Sequence, residues 1–413
     1  MHEGLSARQG TDGSDRSGTF PSGFLWGASS AGHQIEGGNV ASDFWEMEHA
    51  PGSVFAEPSG DACDGYHRWR EDVGLLAGLG LNAYRFSVEW SRVEPEEGRF
   101  SRAAIDHYRR VVEGCHERGV TPVVTLQHIT VPRWFRRSGW WTGPAAADRF
   151  ARFTEAVLPV VSEGVGHVCT INEPNFAAML EYDLDPARAA RATPGAEGGP
   201  AVPGPATTEA LVIAHRRAVE VLRSVPGLAC GWTVCAVDHQ PVDGAEEVAA
   251  AWARPRQDVF LEAAKGDDFV GVQVYTRELI GPHGPLPVPE GAETTQIGWE
   301  YYPEAVAGAV RNAAKITGGT PILVTENGVA TADDSRRAEY ITRALRALKG
   351  AMDEGVDVRG YFHWSLLDNF EWLLGYRPTF GLVSVDRTTF ERTVKPSARA
   401  YGAIAGTGRL PES

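Results

Sequence analysis

The chain has 413 residues, 43% of them hydrophobic and 23% charged, a composition that supports a large folded core and excludes a disordered polypeptide. Its formal net charge of -15, with no Lys/Arg cluster to offset it, excludes a general nucleic-acid or anionic-membrane partner. The five cysteines, Cys63, Cys115, Cys169, Cys230 and Cys235, contain no CxxC pair, so neither a metal site nor a disulfide scaffold is expected, and a reducing compartment suits them best.

Residues 1–19 are rich in Gly, Ser, Asp and Arg and lack the apolar centre of a secretion signal, so they are expected to form a disordered tail, with 20–413 as one domain. No apolar run is long enough to span a bilayer, and the expected location is cytoplasmic. From residue 24 onward, short apolar runs recur: FLWGASS (24–30), AYRFSVEW (83–90), PVVTLQH (122–128), VCTINEP (168–174), ACGWTVC (229–235), FVGVQVY (269–275), ILVTENG (322–328) and YFHWSLLDN (361–369). Between them lie stretches with helical spacing, over 101–119, 207–224 and 334–355, each ending near Gly or Pro. Two loops stand out, an Ala/Gly/Pro-rich stretch from Arg188 to Pro205 after the fourth strand and residues 281–296 after the sixth.

Continuous apolar strands alternating with amphipathic helices require a parallel sheet covered by its crossovers. Eight such units predict a single eight-stranded parallel (β/α)8 TIM barrel. An open doubly wound sheet is the alternative, but no GxGxxG or GxxxxGK[ST] follows the first strand to support a nucleotide-binding version.

In such a barrel the carboxyl ends of all strands open on one face, so residues distant in sequence converge there. The expected tips carry Gln34, Arg85, His128, Asn172 with Glu173, Tyr275, Glu326 and Trp364, a ring of polar and aromatic groups suited to a sugar. Either glutamate alone reads as a salt-bridged residue at a loop start. Together, two carboxylates about 5 to 5.5 Å apart in one pocket are what retaining glycoside hydrolysis needs, one to attack the anomeric carbon and one to protonate the leaving oxygen. Arg85 and Tyr275 are placed to donate to Glu326 and hold it ionised, while the nearby charge of Glu326 favours a protonated Glu173.

FLWGASSAGHQIEGG, NAYRFSVEWSRVEP, TINEPN, VTENG and YFHWSLLDNFEWLLGY, in this order from about Phe20 to the C-terminus, resemble the glycoside hydrolases of family 1, which include β-glucosidases and β-galactosidases. The resemblance implies that Glu173 is the acid/base and Glu326 the nucleophile of a retaining, exo-acting β-glycosidase, β-glucosidase-like, acting on a small β-glycoside or oligosaccharide without a cofactor. It further implies that Asn172 bonds the sugar 2-hydroxyl, that Gln34, His128, Glu371 and Trp372 hold other hydroxyls, that Trp364 is the platform beneath the ring, and that Trp299 lines the aglycone side.

The chain departs from the family where Ile129, Thr130 and Val131 follow His128 in place of the usual Trp and Asp, which removes an aromatic contact near the 3-hydroxyl. Gln273 stands where Asn is usual and is expected to alter hydrogen bonding on the acid side. Retention of Glu371 and Trp372 points away from phosphorylated sugars, because Glu371 would repel phosphate. A transglycosidase using the same intermediate, and a barrel that binds sugar or a partner without turnover, are the other readings.

Overall fold

A computed structural model describes residues 18–183 and 202–412. Eight parallel strands form a closed barrel: β1 (Leu25–Ser29), β2 (Ala83–Ser87), β3 (Thr121–His128), β4 (His167–Asn172), β5 (Ala229–Pro241), β6 (Val270–Gly281), β7 (Ile322–Asn327) and β8 (Val358–Trp364). Each pairs with the next in sequence, and β8 closes on β1 through the register Gly27 to Phe362 and Ser29 to Trp364. The eight apolar runs are these strands.

One principal helix covers each crossover: α1 (Gly65–Gly78), α2 (Arg102–His116), α3 (Ala146–Val161), α4 (Pro205–Leu222), α5 (Glu246–Ala253), α6 (Ala305–Thr317), α7 (Asp334–Asp353) and α8 (Pro396–Thr407). The three helices expected from spacing are α2, α4 and α7. Ser101 caps α2 by accepting from the Ala104 amide at 3.2 Å, and Asp333 caps α7 by accepting from Ser335 at 2.9 Å. Gly18 and Thr19, expected in the tail, are tied to the end of α8 through the Thr19–Arg409 bridge; residues 1–17 lie outside the described residues. So does most of the expected loop from Arg188, although Pro205 itself opens α4, where its missing N–H costs nothing.

Two elements run further than their apolar signal. β5 and β6 each continue six residues past their expected ends, to Pro241 and Gly281, pairing Asp238 with Arg277 and Pro241 with Ile280. Beyond the barrel they pair with each other as a ribbon, and Gly284–Pro285 folds back on β6, so the first residues of the expected 281–296 loop are strand.

The barrel floor is apolar, built from Ala83, Val123, Cys169, Phe269, Leu323 and Phe362 with Leu25 and Ala229 packed against them, one residue from or beside each strand. A larger apolar layer lies between strands and helices. All five cysteines are free thiols, and among the described residues no helix is long and apolar enough to cross a membrane.

Gly27 admits Phe362 to that floor: a Cβ at position 27 would fall 2.3 Å from the Phe362 ring. Gly27→Ala therefore overpacks the floor and should cost about 1–3 kcal/mol, read as a lower denaturation midpoint. Adding Phe362→Leu should recover part of the loss; full stability of the single variant would contradict this packing.

Candidate active site

Above the apolar floor the barrel turns polar. Arg85 on β2 is fully buried; its Nη1 donates to Glu326 Oε1 at 2.6 Å and its Nη2 to Asn172 Oδ1 at 2.5 Å. Tyr275 donates to Glu326 Oε2 at 2.5 Å. Tyr275 is not at the strand tip, as expected, but six residues before the end of β6, because the ribbon carries that strand past the barrel rim.

Gln273 faces the same interior as Tyr275, two residues on, and the ladder registers it with Glu326. Its Nε2 donates to Asn172 Oδ1 at 2.8 Å and also to Glu326 Oε1. The sequence-based expectation placed its effect on the acid side; in the structure it bonds Asn172, beside the acid, and Glu326 as well. The added methylene lets one amide reach both groups.

Asn172, the last residue of β4, takes a third hydrogen bond from Thr233 at 3.1 Å, so its carbonyl oxygen is fully engaged. Its Nδ2 donates to His128 Nε2 at 3.2 Å and keeps one hydrogen free. His128 therefore carries its proton on Nδ1, a buried donor with no protein partner. Burial, and then the charge of Arg85, hold His128 well below the ordinary histidine range, so it is neutral.

Glu173 follows β4 directly and opens the short helix Pro174–Asp183. Its φ of 45° is left-handed, uncommon for a residue with a Cβ, and two other residues in this region share that conformation: Ile129 at 65° and Trp372 at 52°. Pro174 supplies the first helical turn with a fixed φ.

Glu173 and Glu326 line one cavity of about 360 Å³ together with His128, Tyr275, Trp299, Trp364, Glu371 and Trp372. Gln34, Arg85 and Asn172 bond directly to residues of that lining, Glu371, Glu326 and His128 respectively. Gln34, on the short helix after β1, donates to the Phe370 carbonyl at 2.7 Å and to Glu371 Oε2 at 3.5 Å, which leaves its own Oε1 buried and unpartnered. Trp364 donates to Glu371 Oε1 at 3.3 Å. Trp299 is the most exposed of the group, 5.6 Å from the Tyr275 ring.

The two glutamates differ in what surrounds them. Burial pushes the Glu173 carboxyl up, the charge of Glu326 pushes it further, and it reaches about 8 against the weaker opposing influence of Cys235 and Arg85. Burial raises Glu326 as well, a cost the sequence-based expectation omitted, but Arg85 and Tyr275 oppose it there. With those donors on one side only, the proton of the pair belongs on Glu173 and the charge on Glu326.

Thr233 and Cys235 were not among the expected site residues. Both lie on β5, two residues apart, and that alternation, like that of Gln273 and Tyr275 on β6, is the signal that finds them. Burial raises the Glu371 carboxyl well above the ordinary range, opposed by its donors Trp364 and Gln34. The described lining of the cavity contains no Lys or Arg to bind a phosphate.

A closed (β/α)8 barrel with paired acids in a pocket walled by tryptophans defines an O-glycosyl hydrolase. The chain belongs to glycosyl hydrolase family 1, whose pattern matches residues 16–263 and 285–409. It is 31% identical to beta-glucosidase A of Thermotoga maritima over 95% of this chain and 99% of that protein, and 30% identical to a bifunctional beta-D-glucosidase/beta-D-fucosidase of Bifidobacterium breve over 92% and 97%. Among solved structures, beta-glycosidase BGL167 superposes with a TM-score of 0.86 at 46% identity, covering 95% of this chain and 99% of that one.

A group that must be protonated to act and sits near 8 keeps its proton below that pH and loses it above. The basic limb of kcat/KM is thus expected to fall through about pH 8, and Glu173→Gln should remove that limb; a limb unchanged by the variant would clear Glu173 of this role. Gln273→Leu, similar in size but without donors, should lower kcat/KM about 10²-fold with little change in the melting midpoint, since it removes a donor that keeps Glu326 ionised and aimed.

Proposed function

We propose that the protein is a retaining, exo-acting β-glycosidase, β-glucosidase-like, that hydrolyses the terminal non-reducing β-linked sugar through a covalent glycosyl-enzyme intermediate. The observation that carries this reading is the asymmetry of the two buried carboxyls in one cavity, one with a guanidinium and a phenol donating to it, the other without.

Glu326, charged and held by Arg85, Gln273 and Tyr275, attacks the anomeric carbon while protonated Glu173 gives its proton to the departing oxygen. Ester formation then extinguishes the Glu326 charge. The repulsion that helped keep Glu173 protonated disappears, its acidity rises, and it takes a proton from the water that releases the sugar.

The remaining groups fit one pyranose. The free Asn172 amide hydrogen supports reading this residue as the partner of the 2-hydroxyl, a contact that strengthens as the ring flattens. A hydroxyl both donates and accepts, so the unpartnered Gln34 Oε1 and His128 Nδ1–H are complementary partners for hydroxyls further round the ring. Trp364 offers its face to the C–H side. Glu371, held by Trp364 and Gln34, accepts from the hydroxyls at the closed end.

A panel of aryl β-glycosides with glucose, galactose, fucose, mannose and xylose donors should show turnover on the glucoside, with the β-anomer appearing first by NMR; an α-anomer first would overturn the mechanism. Glu326→Ala should abolish turnover. Glu173→Ala should lower kcat/KM for substrates with poor leaving groups about 10²- to 10⁴-fold and spare kcat/KM for a dinitrophenyl glycoside, which needs no protonation to leave, while its kcat falls because the water that releases the sugar has lost its base.

A further inference from the structure

β4 ends at Asn172 while β5 runs on through Cys235, so the edge that β5 offers toward β4 loses its partner strand where Glu173 leaves the barrel. In a parallel ladder alternate residues bond to the same neighbour, and Thr233 faces β4: its carbonyl accepts from the Glu173 amide at 2.8 Å. Cys235, two residues on, therefore points its own N–H and C=O to that side. The chain that would meet them has already turned into the helix Pro174–Asp183.

The side chain of Asn175 meets them instead. Its Oδ1 accepts from the Cys235 amide at 3.1 Å and its Nδ2 donates to the Cys235 carbonyl at 2.7 Å, the two bonds that a backbone peptide in the ladder would make. The second Nδ2 hydrogen goes to the Arg256 carbonyl at 2.7 Å, in the wide helical turn Arg254–Asp258. Asn175 is 2% exposed and has no amide hydrogen left for a ligand, so its work is to hold backbone.

What it holds bears on the acid. Side chains alternate along a strand, so Cys235 shares the inward face with Thr233, and its thiol lines the catalytic cavity and hydrogen-bonds the Glu173 carboxyl. Burial, and then the charge of Glu173, raise the thiol well above its ordinary range, so it stays S–H and is the donor. A thiol is a weak donor. It can aim Glu173 and still leave the proton there, where a strong donor would favour the charged form. The left-handed backbone of Glu173 persists only if its surroundings over-determine it, and the bonds from residues 173 and 175 to β5 supply that constraint.

We propose that Asn175 and Cys235 are the positioning pair of the acid/base: the Asn175 amide stands in for the absent ladder residue and fixes the Cys235 backbone, and the Cys235 thiol aims the Glu173 carboxyl at the departing oxygen. The inference rests on the reading of Glu173 as the acid/base. The test is a double-mutant cycle read on phenyl β-glucoside, whose leaving group must be protonated, and on a dinitrophenyl β-glucoside, whose leaving group need not be. Asn175→Ala should lower kcat/KM for the phenyl substrate about 10- to 100-fold, the scale of a misplaced catalytic group, and change it less than about twofold for the dinitrophenyl one. In a Glu173→Ala background the same substitution should have no further effect on either substrate, because the group it acts through is gone. Cys235→Ala, which leaves every backbone bond in place, should show the same substrate selectivity and move the basic limb of kcat/KM to higher pH, since it removes a donor that favours the charged form. A loss equal on both substrates, a loss that persists undiminished without Glu173, or no loss at all overturns the proposal. Should Asn175→Ala fail to fold, Cys235→Ala decides, and a basic limb that stays in place overturns the proposal. If Glu173→Ala alone leaves the phenyl substrate unaffected, the acid/base reading falls and this inference falls with it.

Discussion

The arrangement depends on one buried ion pair. Arg85 has no access to water, and its charge is balanced by Glu326 at 2.6 Å in a part of the barrel where desolvation of either partner alone is severe. The second prong of Arg85 reaches Asn172, and Gln273 and Thr233 complete the bonds to that same oxygen. Side chains from β2, β4, β5, β6 and β7 thus meet around one guanidinium. A pair of this kind contributes little net stability against an apolar replacement, yet removing one partner leaves a buried charge that costs about 3–5 kcal/mol. What it fixes is position: the carboxylate is clamped from two sides, with its oxygens assigned to different donors.

The same burial that makes the pair demanding creates the difference between the two acids. Both carboxyls are pushed toward their neutral forms, and only the donors decide which one resists. Glu173 is placed by strain as well as by topology, since its left-handed backbone turns it off the end of β4 just as the chain enters the next helix. Ile129 and Trp372 hold the same unusual conformation nearby. Backbone strain of this sort persists only where surrounding packing over-determines it, and Ile129 sits among Phe44, Phe55 and Phe370.

Much of the fold was legible because strands buried on both faces must be apolar throughout, and eight such runs, from Leu25 to Trp364, could be counted directly. The convergence of Arg85, Asn172, Glu173 and Glu326 was legible for the same reason, once strand ends share one face. The ribbon was not. Asp238, Gln240, Arg277 and Glu278 carry no apolar signal, because beyond the barrel β5 and β6 are held by each other's ladder and by polar contacts, such as that of Glu278 with Trp252 of α5. The bond from Gln273 to Glu326 was not foreseen because sequence shows its neighbour Tyr275 but not the register that sets it across from Glu326. The rise in the Glu326 carboxyl was missed for a related reason: sequence names the donors, whereas the depth of burial comes only with the fold.

Depth also explains how residues far from the chemistry bear on it. His33 is fixed on one ring nitrogen by Glu48 at 2.7 Å and on the other by Asn39 at 3.0 Å. Its ring stacks 5.9 Å from Trp372 at an angle of 6°, Trp372 stacks 6.1 Å from His128, and His128 lies 5.8 Å from Trp364. Four aromatic rings therefore form a column running along the sugar pocket, anchored at one end by a buried polar network. Thr130 belongs to that network: its hydroxyl donates to Glu89 Oε1 at 2.9 Å, and burial raises the Glu89 carboxyl to about 7. A neutral donor at position 130 spares Glu89 a second acid beside it, at a point where the family commonly carries Asp. Ile129 meanwhile fills the apolar cluster against which Trp372 packs. Ile129, where the missing Trp looked like the loss of a sugar contact, and Thr130 thus both support the column from behind.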